Sequence, residues 1–197
     1  MTTILQITAS DLFRYAAIPI AFEVRTIFEV SLPENGLGGI QLVETAVEPY
    51  VKDYDELETP LSWPEEFDIS RWGLFLALDN GGQAVGGAAV AWNTSGVNML
   101  EGRSDLSVLW DIRIHPGSRG KGVGRQLLAY AADWSRERGC TRMKIETQNV
   151  NVPACRFYAA QGCKLGDIRR FAYLDEASVA HEVQLNWYLD LLDNRLT

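Results

Sequence analysis

Residues 106–139 place a strand, a proline, a basic glycine-rich loop and an amphipathic helix in direct succession, which restricts the folds open to the chain. In 106–115, LSVLWDIRIH, an unbroken period of two sets Val108, Trp110, Ile112 and Ile114 on one face and Leu109, Asp111 and Arg113 on the other. Pro116 ends that strand. Gly117, Gly120, Gly122 and Gly124 then punctuate a loop that carries Arg119 and Lys121. Val123, Leu127, Ala131 and Trp134 recur at helical spacing, with Arg125, Gln126, Asp133, Arg136 and Glu137 directed elsewhere and Gly139 as the C-terminal cap. A helix N-terminus leaves backbone N–H groups unpaired at the positive end of the helix dipole, and glycines let an anion approach them. The segment therefore reads as a cradle for a diphosphate, with an ordinary glycine-rich connection as the alternative. Neither G-x-x-x-x-G-K-[ST] nor a helix-opening G-x-G-x-x-G is present, so the nucleotide fingerprints do not apply.

Strand patterns surround this segment. Residues 3–8 alternate, and Ser10–Asp11 can cap a helix through Ala17. Residues 21–32 are rich in β-branched and aromatic side chains, 33–39 turn, and 40–48 return. Asp79-Asn-Gly-Gly82 joins the apolar runs 71–78 and 83–93 as a hairpin, in which Gly86-Gly87 marks a bulge or a close backbone approach. The acidic stretch 49–69 holds three prolines and no sustained period, and its length favours a functional lid over a spacer. Its Trp63, with the nearby Trp72, reads as core packing, with pocket lining as the alternative. Strand 143–148 precedes a helix capped by Asn151, with Pro153 in its first turn and Gly162 after its end. Two further strands flank 174–178, the second alternating through Val183, Leu185, Trp187 and Leu189.

At 197 residues the expectation is one domain, 1–197, of mixed α/β (α+β) class. Acidic residues outnumber basic ones 26 to 18, giving a net charge of −8 that disfavours nucleic acid; it would attract a cationic small molecule, but it reads first as the ordinary charge of a soluble enzyme with no substrate role. No leader and no run of about 18 apolar residues is evident, so no membrane contact is expected. Cys140, Cys155 and Cys163 form no C-x-x-C, which points to a reduced cytoplasm without disulfides or metal. His115 and His181 carry no site pattern. A homodimer is compatible with the sequence.

The run HPGSRGKGVGRQLL resembles the R/Q-x-x-G-x-G/A motif of the GNAT acetyltransferases, matched by Arg119, Gly122 and Gly124. The run NVNVPACRFYAAQGCKLG is similar to that family's N-x-x-A-x-x-F/Y-Y-x-x-x-G-F signature, with Cys163 in place of the aromatic residue. The resemblance implies a GNAT fold, a mixed, mostly antiparallel, splayed sheet flanked by helices, and an acetyl group moved from acetyl-CoA to an amine without metal. It also implies that acetyl-CoA meets Ile112, Arg113 and Ile114 on the strand, Arg119, Gly120, Lys121, Gly122, Val123, Gly124 and Arg125 in the loop, and Asn151, Ala154, Phe157 and Tyr158 on the second helix. Tyr158 would be the general acid that protonates the departing thiolate; Glu146 and Asp111 are both offered as the base, Asp111 alternatively as a substrate-orienting group. Within the family, TIFEV at 26–30, the long acidic connection 49–69 and DIRIHPGSRGKGVGRQLLAYAADWSRERG at 111–139 together resemble streptothricin acetyltransferases, so the implied acceptor is a small cationic amine, with a protein or polyamine acceptor, or a non-catalytic coenzyme A sensor, as alternatives.

Overall fold

The computed structural model of the chain describes residues 2–192. In chain order the elements are β1 (Thr3–Ile7), α1 (Leu12–Ala16), β2 (Phe22–Ser31), β3 (Gln41–Lys52), α2 (Trp63–Glu66), β4 (Gly73–Leu78), β5 (Ala84–Trp92), β6 (Leu106–Ile114), α3 (Val123–Arg136), β7 (Arg142–Gln148), α4 (Val152–Ala160), β8 (Lys164–Arg169) and β9 (Gln184–Asp190). The larger sheet has the order β1-β4-β5-β6-β7-β9-β8, and β2 and β3 form a separate hairpin. Pairs β1/β4, β4/β5, β5/β6 and β2/β3 are antiparallel, while β6/β7 is parallel. The mixed, mostly antiparallel α/β architecture is the one the sequence leads one to expect.

Packing divides the chain into two compact units, one built from the residues up to Ala21, Asp53–Ile145 and those from Tyr188 on, the other from Phe22–Lys52 and Glu146–Trp187. The core of the first gathers Tyr15, Ile18, Trp63, Trp72, Leu76, Ala89 and Val108, with Phe67 and Trp110 packed against it. Trp63 and Trp72 lie 5.8 Å apart between ring centroids and are almost fully buried, so they serve the core. Stretch 53–71 is not structureless: short 3-10 turns at Tyr54–Glu56 and Ile69–Arg71 flank α2.

Gly86 and Gly87 are both close approaches. A Cβ on Gly87 would lie 2.5 Å from the Tyr15 ring, and one on Gly86 would lie 3.0 Å from both Ile114 and Val123. The two faces of β5 thus admit Tyr15 on one side and α3 on the other.

Strand β6 departs from the expected alternation. Ala89 pairs with Asp111 and Val90 with Leu109, so Trp110 is an extra, bulged residue. The inserted residue shifts the period: Val108 and Trp110 join the Tyr15-side core, Asp111 and Arg113 follow on that same side, and Ile114 turns toward α3. The grouping of Val108, Trp110, Ile112 and Ile114 on one face is therefore corrected.

In the second unit β3 runs on through Pro49 to Lys52, beyond the expected end at residue 48. Pro49 is tolerated because the ladder breaks there, with Thr26 opposite Ala46 and Val24 opposite Tyr50. Asn149, buried, is satisfied on all sides: its backbone and side chain exchange bonds with Phe28 and Val183 at 2.8–3.0 Å. Lys52 and Glu182 form a buried pair at 2.7 Å.

Candidate active site

The loop before α3 has the geometry of an anion cradle. Gly120 (φ 73°) and Gly122 (φ 83°) occupy the left-handed region, and a Cβ at either would meet open space. Gly122 is the N-cap of α3, and among the described residues the N–H groups of Gly120, Lys121, Gly122, Val123 and Gly124 find no acceptor in the chain. Val123 anchors the helix start, buried beside Gly86 and Ile114. The loop cations turn back onto the protein: Arg119 donates from Nε to the Ile114 carbonyl (3.1 Å) and from a terminal nitrogen to that of Ala21 (2.8 Å), and Lys121 Nζ donates to the Gly117 carbonyl (2.6 Å). Backbone amides, not these side chains, are what the cradle presents. Arg125 is exposed on the first turn of α3.

Strand β6 leads into this loop. Its parallel ladder to β7 includes Leu106↔Arg142 through Leu109↔Ile145. Arg113, 2% exposed, is the hub beyond it. Its guanidinium donates to Asp111 (3.0 and 2.8 Å), to Asp55 (3.1 and 3.0 Å) and to the Ile18 carbonyl (3.2 Å). Burial works against that charge, but the hydrogen bonds and charge of Asp111, with Tyr15 and Asp55, outweigh it and hold the group protonated above its ordinary range. Asp111 also accepts from the Tyr15 hydroxyl at 2.5 Å. Burial, then the charge of Asp111, pushes the Tyr15 phenol well above its usual value, so it stays a donor. Both oxygens of Asp111 are thus engaged inside the protein.

One carboxylate near this hub is arranged differently. Glu58, half-buried, accepts from the indole N–H of the bulged Trp110 at 3.0 Å. Burial pushes its carboxyl up; hydrogen bonding from Trp110 and Trp63 pulls it down, and the charges of Glu66 and Asp111 push it up again.

In the second unit, Glu146 on β7 accepts from the Tyr173 hydroxyl (2.6 Å) and from the side-chain amides of Gln184 (2.5 Å) and Gln148 (3.4 Å). Helix α4 begins as its sequence dictates: Asn151 Oδ1 caps the Ala154 N–H at 3.1 Å, Pro153 sits in the first turn, and Gly162 (φ 84°) follows its end. Tyr158 is 4% exposed, its ring 5.4 Å from that of Phe157. Cys155 and Cys163 are free and buried, their thiols pushed up to about 12 by that burial, so they pack and do not react. Among the described residues no group of three or more His, Cys, Asp or Glu could hold a metal.

The structure brings Asp111 and Arg113 together and joins Ile114 to Arg119 through a hydrogen bond. Tyr15, Asp55, Glu58, Tyr173 and Gln184 were not legible as partners, since each reaches its contact across 27 to 96 residues. The i, i+2 spacing of Asp111 and Arg113 was the one local signal that the hub existed.

Comparison with known proteins agrees with this geometry. A model of the Acetyltransferase (GNAT) family matches residues 40–163. A streptothricin acetyltransferase of Escherichia coli is 31% identical, over 85% of this chain and 84% of that protein. One of Streptomyces lavendulae is 33% identical over 72% and 70%. Among solved structures, a candidate streptothricin acetyltransferase of Bacillus anthracis str. Ames, in complex with acetyl coenzyme A, superposes with a TM-score of 0.76 at 27% identity, covering 96% of this chain and 99% of that one. With a positive-φ glycine loop capping α3 and a family match over most of its length, this chain belongs to the GNAT acetyltransferase family.

Proposed function

We propose that the protein transfers the acetyl group of acetyl-CoA to a primary amine of a small cationic molecule of the streptothricin type. The carrying observation is the row of unsatisfied amides from Gly120 to Gly124, at the N-terminus of a 14-residue helix. Such a row favours a diphosphate through both hydrogen bonding and the helix dipole. Strand β6 bulges at Trp110, just before Ile112, Arg113 and Ile114, which suits the backbone of these three residues to the amide groups of a pantetheine arm.

The residue roles follow from the chemistry. The amine must be neutral to attack, so a base removes one proton. Glu146 suits that role, because its hydrogen bonds come from neutral side chains, Tyr173, Gln184 and Gln148, and among the described residues it enters no ion pair. Asp111 is engaged by Arg113 and Tyr15, and positions β6 instead. As the new C–N bond forms, the thioester C–S bond breaks, Tyr158 donates its hydroxyl proton to the departing thiolate, and the proton that the acylated nitrogen then sheds restores the tyrosine. The net charge of −8 and the streptothricin acetyltransferase relatives support a cationic acceptor in the cytoplasm without nucleic acid.

The test is thiol release from acetyl-CoA with streptothricin, spermidine, lysine and an N-terminal peptide as acceptors. Turnover is expected with streptothricin foremost; release with none of them, despite acetyl-CoA binding, would return the coenzyme A sensor. Tyr158→Phe should lower kcat by roughly one to two orders of magnitude while acetyl-CoA affinity by calorimetry stays unchanged.

A further inference from the structure

Glu58 stands out among the acids around the β6 hub. The single guanidinium there, that of Arg113, is divided between Asp55 and Asp111, and among the described residues no cation pairs with Glu58. Its hydrogen-bond partner is an indole: Trp110 donates to it at 3.0 Å. An indole N–H orients a carboxylate without neutralising it. Trp110 is itself the bulged residue of β6, and a bulge re-aims the side chain it displaces. The bulged residue thus carries the indole that orients this half-buried carboxylate. That anion also faces Glu66 and Asp111, whose charges work against it. A positive group arriving at Glu58 gains a partly desolvated, oriented partner and relieves this repulsion.

We propose that Glu58, set by Trp110, is a specificity-determining residue that receives a second, non-reacting ammonium of the acceptor. The substrate class it selects is a polyamine or di-ammonium compound over a monoamine. The inference rests on the reading above that an amine is the acceptor. Trp110 is a positioning residue, acting through Glu58.

The test compares wild type with Glu58→Gln, Glu58→Asp and Trp110→Phe, using streptothricin and spermidine in two measurements. Thiol release gives kcat and KM; calorimetric titration of each polyamine into coenzyme A-saturated protein gives Kd. For Glu58→Gln, KM and Kd should each rise roughly 10- to 100-fold, the usual loss for a charge-assisted hydrogen bond. Its kcat should stay within about threefold and its acetyl-CoA affinity should not move. Glu58→Asp should recover part of the loss, and Trp110→Phe should show a smaller rise of the same kind. Unchanged KM and Kd in Glu58→Gln would overturn the assignment, as would a fall in kcat at constant KM, which marks a role in the chemistry. If wild type binds acetyl-CoA but acetylates no amine, the proposed reaction has failed by itself. The titration still decides Glu58: weaker polyamine binding in Glu58→Gln upholds it, and equal or absent binding overturns it.

Discussion

A residue kept for recognition carries a signature in its titration, and Glu58 has one. Burial is the largest influence on its carboxyl and raises it above the ordinary value of 4.5. The folded protein therefore binds the proton more tightly than the unfolded chain, and the ionised form costs stability once pH passes the raised value. Below 4.5 both states are protonated and the cost vanishes. Glu58→Gln, which keeps the shape and removes the charge, should melt about 1–2 °C above wild type at pH 7, a small gain because solvent still reaches and screens this half-buried group. Scanning calorimetry should show that gap closing as pH falls through the raised value toward 4.5; a gap unchanged by acid would mean that packing and not charge is responsible. Residue types alone could not single out Glu58 among the acids of 53–66, because what distinguishes it is the indole of Trp110, brought to it across 52 residues.

At the scale of elements, local physics was legible wherever it needed no distant partner. The cap at Asn151, the glycines that end α3 and α4, and the buried stripe Val123, Leu127, Ala131 and Trp134 stand where spacing puts them. Spacing failed at β6, because a period of two has no means of anticipating an extra residue that the partner strand leaves unpaired. The Gly86-Gly87 pair was readable as a close approach, but not what approaches. Gly87→Ala tests that contact: the added methyl would sit 2.5 Å from a fully buried Tyr15 ring whose hydroxyl is tied to Asp111. The ring has nowhere to retreat, so the substitution should cost about 1–3 kcal/mol. Urea unfolding reads this as a lower midpoint at unchanged slope; a midpoint equal to wild type would show that the ring can move aside.

Across the whole molecule, one guanidinium joins parts of the chain that the sequence keeps far apart. Arg113 binds Ile18, Asp55 and Asp111, and through Asp111 reaches Tyr15. Arg113→Met should fill much the same space yet leave two carboxylates without their cation, a loss of about 3–5 kcal/mol that guanidinium chloride unfolding would register. A loss below about 1 kcal/mol would show that water replaces the pairing. The sequence by itself determined the glycine loop before α3 and the two capped helices, since a helix end and a left-handed glycine are set within a few residues. Only the tertiary structure decided which acids are spent and which remain available. A carboxylate's role depends on the cations and donors within a few ångströms of it, and here they arrive from as far as 96 residues away.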